Sequence, residues 1–134
     1  VTVDGQAVGA IQRGLLVLLA VQPDDSDTTA ARMAERVLTY RLFPDENDRM
    51  NRSLVDDGLE LLAVPQFTLA ADTRKGTRPS FTRAAPPEVG KRYFERFVAE
   101  CGKSLSGIET GVFGANMQVK LVNDGPVTFW LEVR

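Results

Sequence analysis

The sequence predicts a single α+β domain, residues 1–134, with a largely antiparallel, barrel-like sheet and two helices. Short apolar runs are separated by turn dipeptides, which is typical of β-hairpins. Two longer stretches repeat apolar residues at helical spacing. With 43% hydrophobic and 25% charged residues in 134, the chain has the composition of an ordinary globular domain.

A β-hairpin is predicted at the start of the chain. The dipeptide Asp4-Gly5 favours the positive φ angles of a tight turn between the extended runs 1–3 and 6–11. Residues 15–21 are continuous and apolar, which predicts a strand buried on both faces.

A helix is predicted next, with Asp27 or Thr28 as its cap and its end near Leu42, because apolar residues recur there at i, i+3 and i+7. Residues 44–52 are interpreted as a loop. A second hairpin is predicted from runs 53–55 and 59–69 around the turn Asp57-Gly58.

Residues 70–85 lack any period and hold Gly76 and Pro79, so we expect a long ordered loop. A second helix is predicted from Pro86 or Pro87 to Cys101-Gly102. Runs 117–122 and 127–133 predict a final pair of strands around an Asn-Asp-Gly-Pro turn.

The composition excludes several classes of function. With no histidine, the chain cannot assemble a Ser-His-Asp or Cys-His nucleophile or a His-ligated metal site. The single cysteine, Cys101, cannot form an intramolecular disulfide, which favours a reducing compartment such as the cytoplasm. The longest apolar run, 15–21, is far short of the ~20 residues that cross a bilayer, so we expect no membrane association.

Charge is concentrated in one segment. The chain has a formal charge of −2, whereas residues 74–96 hold seven cations and two acids and are locally +5. This segment is either an ordinary solvated surface or a surface that faces phosphates.

Residues 66–69 alternate polar and apolar side chains, and their simplest interpretation is a strand with one polar face. The functional alternative is a strand end that presents backbone N–H groups and the Thr68 hydroxyl to a developing oxyanion. Because no histidine can activate Thr68, backbone electrostatics are the better candidate. The simplest interpretation of residues 123–126 is likewise a turn.

Four segments together resemble the D-aminoacyl-tRNA deacylase (D-tyrosyl-tRNA deacylase) family. In chain order they are VPQFTL (64–69), KGTRPSF (75–81), TGVFGA (110–115) and NDGPVT (123–128). The resemblance implies hydrolysis of D-aminoacyl-tRNA or glycyl-tRNA to free amino acid and tRNA, with no metal or organic cofactor. It also implies a homodimer with active sites at the subunit interface.

The resemblance assigns roles to particular residues. Gln66, Phe67 and Thr68 would surround the ester, assisted by the 2′-hydroxyl of the tRNA. Gly125 and Pro126 would form a cis dipeptide that holds the α-amino group and excludes an L side chain. The residues implied to line the pocket for the terminal adenosine are Arg78, Pro79, Ser80, Phe81, Phe113, Gly114 and Met117.

Two departures from the family pattern concern Pro65, where the family usually has serine, and Val1, upstream of which the family normally has another strand. Proline has neither the hydroxyl nor the backbone N–H of that serine and fixes φ, but the neighbouring QFTL is intact, so we expect activity to survive. The N-terminal strand is expected to be incomplete, which would expose a sheet edge. Two alternatives to the enzyme are a non-catalytic module that binds aminoacyl-tRNA 3′ ends and a structural α+β dimer.

Overall fold

In the computed structural model, which describes residues 1–134, two helices pack against each other and against a three-stranded parallel sheet. The elements are β1 (Thr2–Val3), β2 (Gln6–Ala7), β3 (Gly14–Leu19), α1 (Asp27–Thr39), β4 (Phe43–Pro44), β5 (Met50–Arg52), β6 (Glu60–Pro65), a 3₁₀ turn (Phe67–Ala70), α2 (Pro87–Gly102), β7 (Ile108–Thr110) and β8 (Met117–Gln118). The α+β class with two helices is confirmed.

The central sheet has the order β3-β6-β7, and all its pairings are parallel. This differs from the antiparallel arrangement expected from hairpin signals. Each pair of strands is joined through a helix, α1 between β3 and β6 and α2 between β6 and β7, and such crossovers are what parallel pairing requires. The middle strand is buried from Leu61 to Pro65, as its uninterrupted apolar sequence allows.

Antiparallel pairing occurs in the two smaller sheets. The first hairpin is confirmed: β1 pairs with β2, and the turn residues Asp4 and Gly5 have φ angles of 51° and 80°. Its second strand ends at Ala7, earlier than predicted, and β1 also pairs with β8.

The predicted hairpin over residues 53–69 is wrong, because β6 pairs in parallel with β3 rather than with residues 53–55. Residues 53–58 instead form a turn in which the Ser53 and Asp56 side chains each accept from the other's amide, at 3.1 and 2.9 Å. The predicted loop 44–52 contains the β4-β5 hairpin, whose turn is held by amides donating to the Asp45 carboxylate.

Helix α1 is capped by Ser26 rather than by Asp27 or Thr28. The Ser26 hydroxyl accepts from the Thr29 amide at 3.3 Å, and the Thr29 hydroxyl accepts from the Ser26 amide at 2.8 Å. This reciprocal capping gives hydrogen-bond acceptors to two backbone amides that have none within the helix. The helix ends at Thr39, before the predicted Leu42, because the Tyr40 backbone is extended.

Helix α2 is confirmed nearly as predicted, with Pro87 in its first turn. Its inner face places Phe94, Phe97 and Cys101 in the core, beside Leu54 and Leu61. Burial raises the pKa of the Cys101 thiol to about 12, so this cysteine is unreactive at neutral pH. Neither helix combines the length and hydropathy needed to span a bilayer.

The predicted final strand pair is wrong. Only Met117–Gln118 pairs, with β1, and residues 119–134 run on without any backbone–backbone hydrogen bond. Residues of this segment border a cavity of about 1460 Å³ that is also lined by β3 and α1. No strand therefore lies at the distance of ~4.8 Å that backbone pairing requires. Val122 and Trp130 are consequently 92% and 67% exposed.

We expect Phe97→Ala to lower the free energy of unfolding by about 3–5 kcal/mol, since it removes a fully buried ring from the core. Urea denaturation followed by circular dichroism measures this change. Val55→Ala, at a residue 40% exposed, is the control and should shift it by no more than about 0.5 kcal/mol. Equal effects of the two substitutions would contradict the core assignment.

Candidate active site

The candidate site lies where β3 and β6 end, because parallel strands bring their carboxyl ends to one edge of the sheet. The Gln66 amide donates to the Leu19 carbonyl at 2.8 Å, and this is the last bond between the two chain segments. Residues Phe67–Ala70 then form a 3₁₀ turn. The prediction that the strand continues to Leu69 is therefore wrong: β3 offers no further partner, and the backbone bonds to itself.

The 3₁₀ turn presents both polar side chains and backbone donors. Gln66 Nε2 donates to Thr68 Oγ1 at 2.5 Å, and the Thr68 side chain is exposed. Hydrogen bonding within the turn starts with the Leu69 amide, which donates to the Gln66 carbonyl at 3.1 Å. The amides of Phe67 and Thr68 precede it and have no acceptor in the turn. Such donors can stabilise an oxyanion.

An aromatic contact connects this turn to the KGTRPSF segment. The rings of Phe67 and Phe81 have centroids 5.3 Å apart, and the side chains are 55% and 43% exposed. The loop is closed by two backbone hydrogen bonds between Asp72 and Ser80, of 2.7 and 2.9 Å. The expected long ordered loop is present, and it lies beside the turn.

One ion pair organises the base of this loop. The Arg74 guanidinium donates to both carboxylate oxygens of Asp72, at 2.9 and 2.8 Å. These hydrogen bonds hold the pKa of Asp72 well below its usual range. The pair is therefore intact at neutral pH, and it is lost only in strong acid, as the pH falls through this lowered pKa.

The TGVFGA segment reaches the same edge of the sheet through β7. The Gly111 amide donates to the Ala63 carbonyl at 2.9 Å. A Cβ at Gly111 would lie 2.6 Å from Met117 Sδ and 3.4 Å from the Pro65 ring, so only glycine lets Met117 pack here. Pro65 itself is buried, at the last register position of β6 opposite Leu19.

Phe113 packs over Gly90 of α2, where a Cβ would lie 3.3 Å from the ring, and Gly114 has a φ of 79°. Phe113 and Met117 are half-buried. Gly90 and Gly111 each make room for a bulky predicted site residue. The sequence marked Gly111 only as part of the TGVFGA segment and Gly90 only as a glycine inside a helical pattern.

The NDGPVT segment stands apart from the other three. Gly125 and Pro126 are exposed, joined by a cis peptide bond, and the turn is closed by Asn123 Nδ2 donating to Thr128 Oγ1 at 3.1 Å. No hydrogen bond or ring contact connects this turn to Gln66, Phe67 or Thr68. One chain thus brings three of the four segments together.

The predicted substrate residues of the loop differ in how they are held. Ser80 is fixed through its backbone and Phe81 through its ring, whereas the Arg78 and Pro79 side chains are exposed.

No three Cys, Asp or Glu side chains of the chain converge closely enough to hold a metal ion.

Comparison with known proteins gives consistent results. The model of the family described as D-Tyr-tRNA(Tyr) deacylase matches residues 1–132. The D-aminoacyl-tRNA deacylase of Thioalkalivibrio sulfidiphilus is 59% identical over 133 residues, 99% of this chain and 89% of that protein. The D-aminoacyl-tRNA deacylase of Stenotrophomonas maltophilia is 60% identical over 132 residues, 98% and 90% of the two chains.

Solved structures share the fold. A c-Myc DNA unwinding element binding protein matches with a TM-score of 0.93 at 38% identity, covering 99% of this chain and 91% of that one. A probable eukaryotic D-amino acid tRNA deacylase matches with a TM-score of 0.77 at 17% identity, covering 86% and 82%. The second likeness concerns the fold alone.

Proposed function

The chain belongs to the D-Tyr-tRNA(Tyr) deacylase family, and on this premise we propose that residues 1–134 act as a single deacylase domain in the cytoplasm. The enzyme hydrolyses the ester of D-aminoacyl-tRNA, and also of glycyl-tRNA, as a step of translation quality control. The observation that carries the proposal is the exposed 3₁₀ turn, with its free amides, beside the Phe67–Phe81 contact.

In the proposed reaction, water adds to the ester carbonyl carbon and gives a tetrahedral oxyanion. The bond to the 3′ oxygen of the tRNA then breaks, and that oxygen takes a proton that water loses. The amides of Phe67 and Thr68 donate to the oxyanion, and Gln66 orients the Thr68 hydroxyl. The chain has no histidine to act as a base. As the resemblance to the family implies, the 2′-hydroxyl of the terminal adenosine assists the water.

The terminal adenosine binds beside this turn. Phe113 and Met117 offer half-buried apolar surface, and Phe81 an exposed ring, on which a base can stack. Gly114 permits a close approach of the backbone. Arg78, Pro79 and Ser80 complete the pocket from the loop.

Chiral selection is assigned to Gly125 and Pro126, supplied by the second copy in a homodimer. Within one chain this turn makes no contact with Thr68 by hydrogen bond, and its backbone is exposed. The two backbone carbonyls accept from the substrate's α-amino group, and the space left beside them excludes an L side chain. A filter that contacts only the main chain accepts many D-amino acids.

Catalytic amounts of the protein should release labelled tyrosine from D-Tyr-tRNA over many turnovers and leave L-Tyr-tRNA intact. Acid precipitation of the remaining charged tRNA measures both rates. Stoichiometric protection of the D-ester from spontaneous hydrolysis would instead support the non-catalytic binding module. Hydrolysis of both esters at equal rates would overturn the chiral filter.

Thr68→Val should retain deacylation within about tenfold, because the proposed mechanism requires the backbone amide and not the hydroxyl. By contrast, D-Tyr-tRNA ending in 2′-deoxyadenosine should be hydrolysed at least about 100-fold more slowly. Single-turnover rates measure both effects. A complete loss with Thr68→Val, together with normal hydrolysis of the 2′-deoxy substrate, would make the threonine the nucleophile.

Gly125→Ala should lower the ratio of D-ester to L-ester hydrolysis by at least about tenfold, because a Cβ there would overlap the Val127 amide and displace the turn. A competition assay on a mixture of D-Tyr-tRNA and L-Tyr-tRNA measures this ratio directly. Gly102→Ala is the matched control, since a Cβ at Gly102 meets no atom within 4 Å. An unchanged ratio in a folded Gly125→Ala variant would remove this turn from the filter.

A further inference from the structure

We propose that Lys75, Arg83 and Lys91, called here the basic surface, bind backbone phosphates of the tRNA acceptor strand beyond its terminal adenosine. This inference rests on the proposed function, because it requires that the aminoacylated 3′ end lies at Thr68. It assigns to these residues a role in holding the body of the RNA, separate from the pocket for the ester and adenosine.

The three charges of the basic surface are available for a ligand. Each side chain is exposed, and none takes part in an ion pair. Three other cations of the segment are engaged: Arg74 pairs with Asp72, and Arg92 and Arg96 lie 3.5 and 3.8 Å from the Asp27 carboxylate. The remaining one, Arg78, is exposed and is assigned to the adenosine pocket. The molecule as a whole has a charge of −2, so this unpaired positive surface contrasts with the rest of the chain.

The fold places the basic surface at the same end of the sheet as the candidate site. The loop that carries Lys75 and Arg83 is joined to the 3₁₀ turn by the Phe67–Phe81 contact. Its far end is fixed where the Ala85 amide donates to the Val21 carbonyl at 3.0 Å, just after β3. Helix α2 starts two residues later, so Lys91 lies near its beginning.

An RNA strand is the partner that this arrangement favours. A ribose-phosphate chain whose terminal ester lies at Thr68 must continue across the neighbouring surface, and one charge follows about every 3.4 Å of each strand in a duplex. Lysine and arginine side chains without partners neutralise such phosphates and release counterions. An acidic protein surface would meet the same charges, but nothing in the site would position it.

The test compares Lys75→Gln/Arg83→Gln with the wild type, using a tRNA that carries D-tyrosine through a non-hydrolysable amide bond. Loss of two phosphate contacts should raise Kd about 10- to 30-fold at 0.15 M salt. The slope of log Kd against log salt concentration should become shallower by about 1.4 to 1.8.

The control is Arg41→Gln/Arg49→Gln, which removes the same charge from the opposite end of the sheet, where α1 ends and the β4-β5 hairpin lies. We expect its Kd to stay within about twofold of the wild type. An equal loss of affinity in both double variants would show a net-charge effect and overturn the assignment to this surface.

A short substrate separates this inference from the proposed function. The 3′-D-tyrosyl ester of adenosine has no phosphate beyond its terminal nucleoside, so Lys75→Gln/Arg83→Gln should hydrolyse it at the wild-type rate. If the variant binds full-length tRNA with unchanged Kd and salt slope while the wild type still deacylates, the basic surface has no such role. If the wild type hydrolyses neither substrate, the proposed function itself fails.

Discussion

The parallel pairing of β3 with β6 is the constraint on which the rest of the structure depends. It runs from Gly14 opposite Glu60 to Leu19 opposite Pro65, and a Cβ at Gly14 would overlap the Glu60 carbonyl. The pairing requires a helical crossover, which places α1 against α2 and builds the core around Phe97. It also fixes where β6 loses its partner, and hence where the 3₁₀ turn begins.

The sequence predicted the helices better than the sheets, for a physical reason. A helix is a local structure, so the apolar spacing and the terminal proline of α2 suffice to locate it. A strand depends on a partner that its own sequence does not specify. Asp57-Gly58 lies in a turn, as predicted, but the strand after this turn pairs in parallel with β3. The local sequence cannot distinguish such a strand from the second strand of a hairpin. Residues 127–133 alternate like a strand yet have no partner within reach.

Candidate site residues could be proposed from four short segments, whereas the arrangement of those segments in space could not be predicted. The rings of Phe67 and Phe81 are in contact because hydrogen bonds between Asp72 and Ser80 close the loop. No periodic pattern in the sequence predicts that closure. The change from strand to 3₁₀ turn at Gln66 depends on β3 ending at Leu19, a tertiary fact. The packing of Phe113 depends on Gly90, and the packing of Met117 depends on Gly111. A glycine has no side chain whose pattern in the sequence could predict such a contact.

The 3₁₀ turn also bears on how this site tolerates mutation. In the proposed mechanism its essential donors are main-chain amides, which every residue except proline carries. Most single-base changes at codons 67 and 68 would therefore alter affinity while leaving the donors in place. In that mechanism a substitution at position 67 or 68 removes no chemical group from the oxyanion site unless it introduces proline, whereas a site built on a histidine or cysteine nucleophile loses its reacting group with almost any substitution.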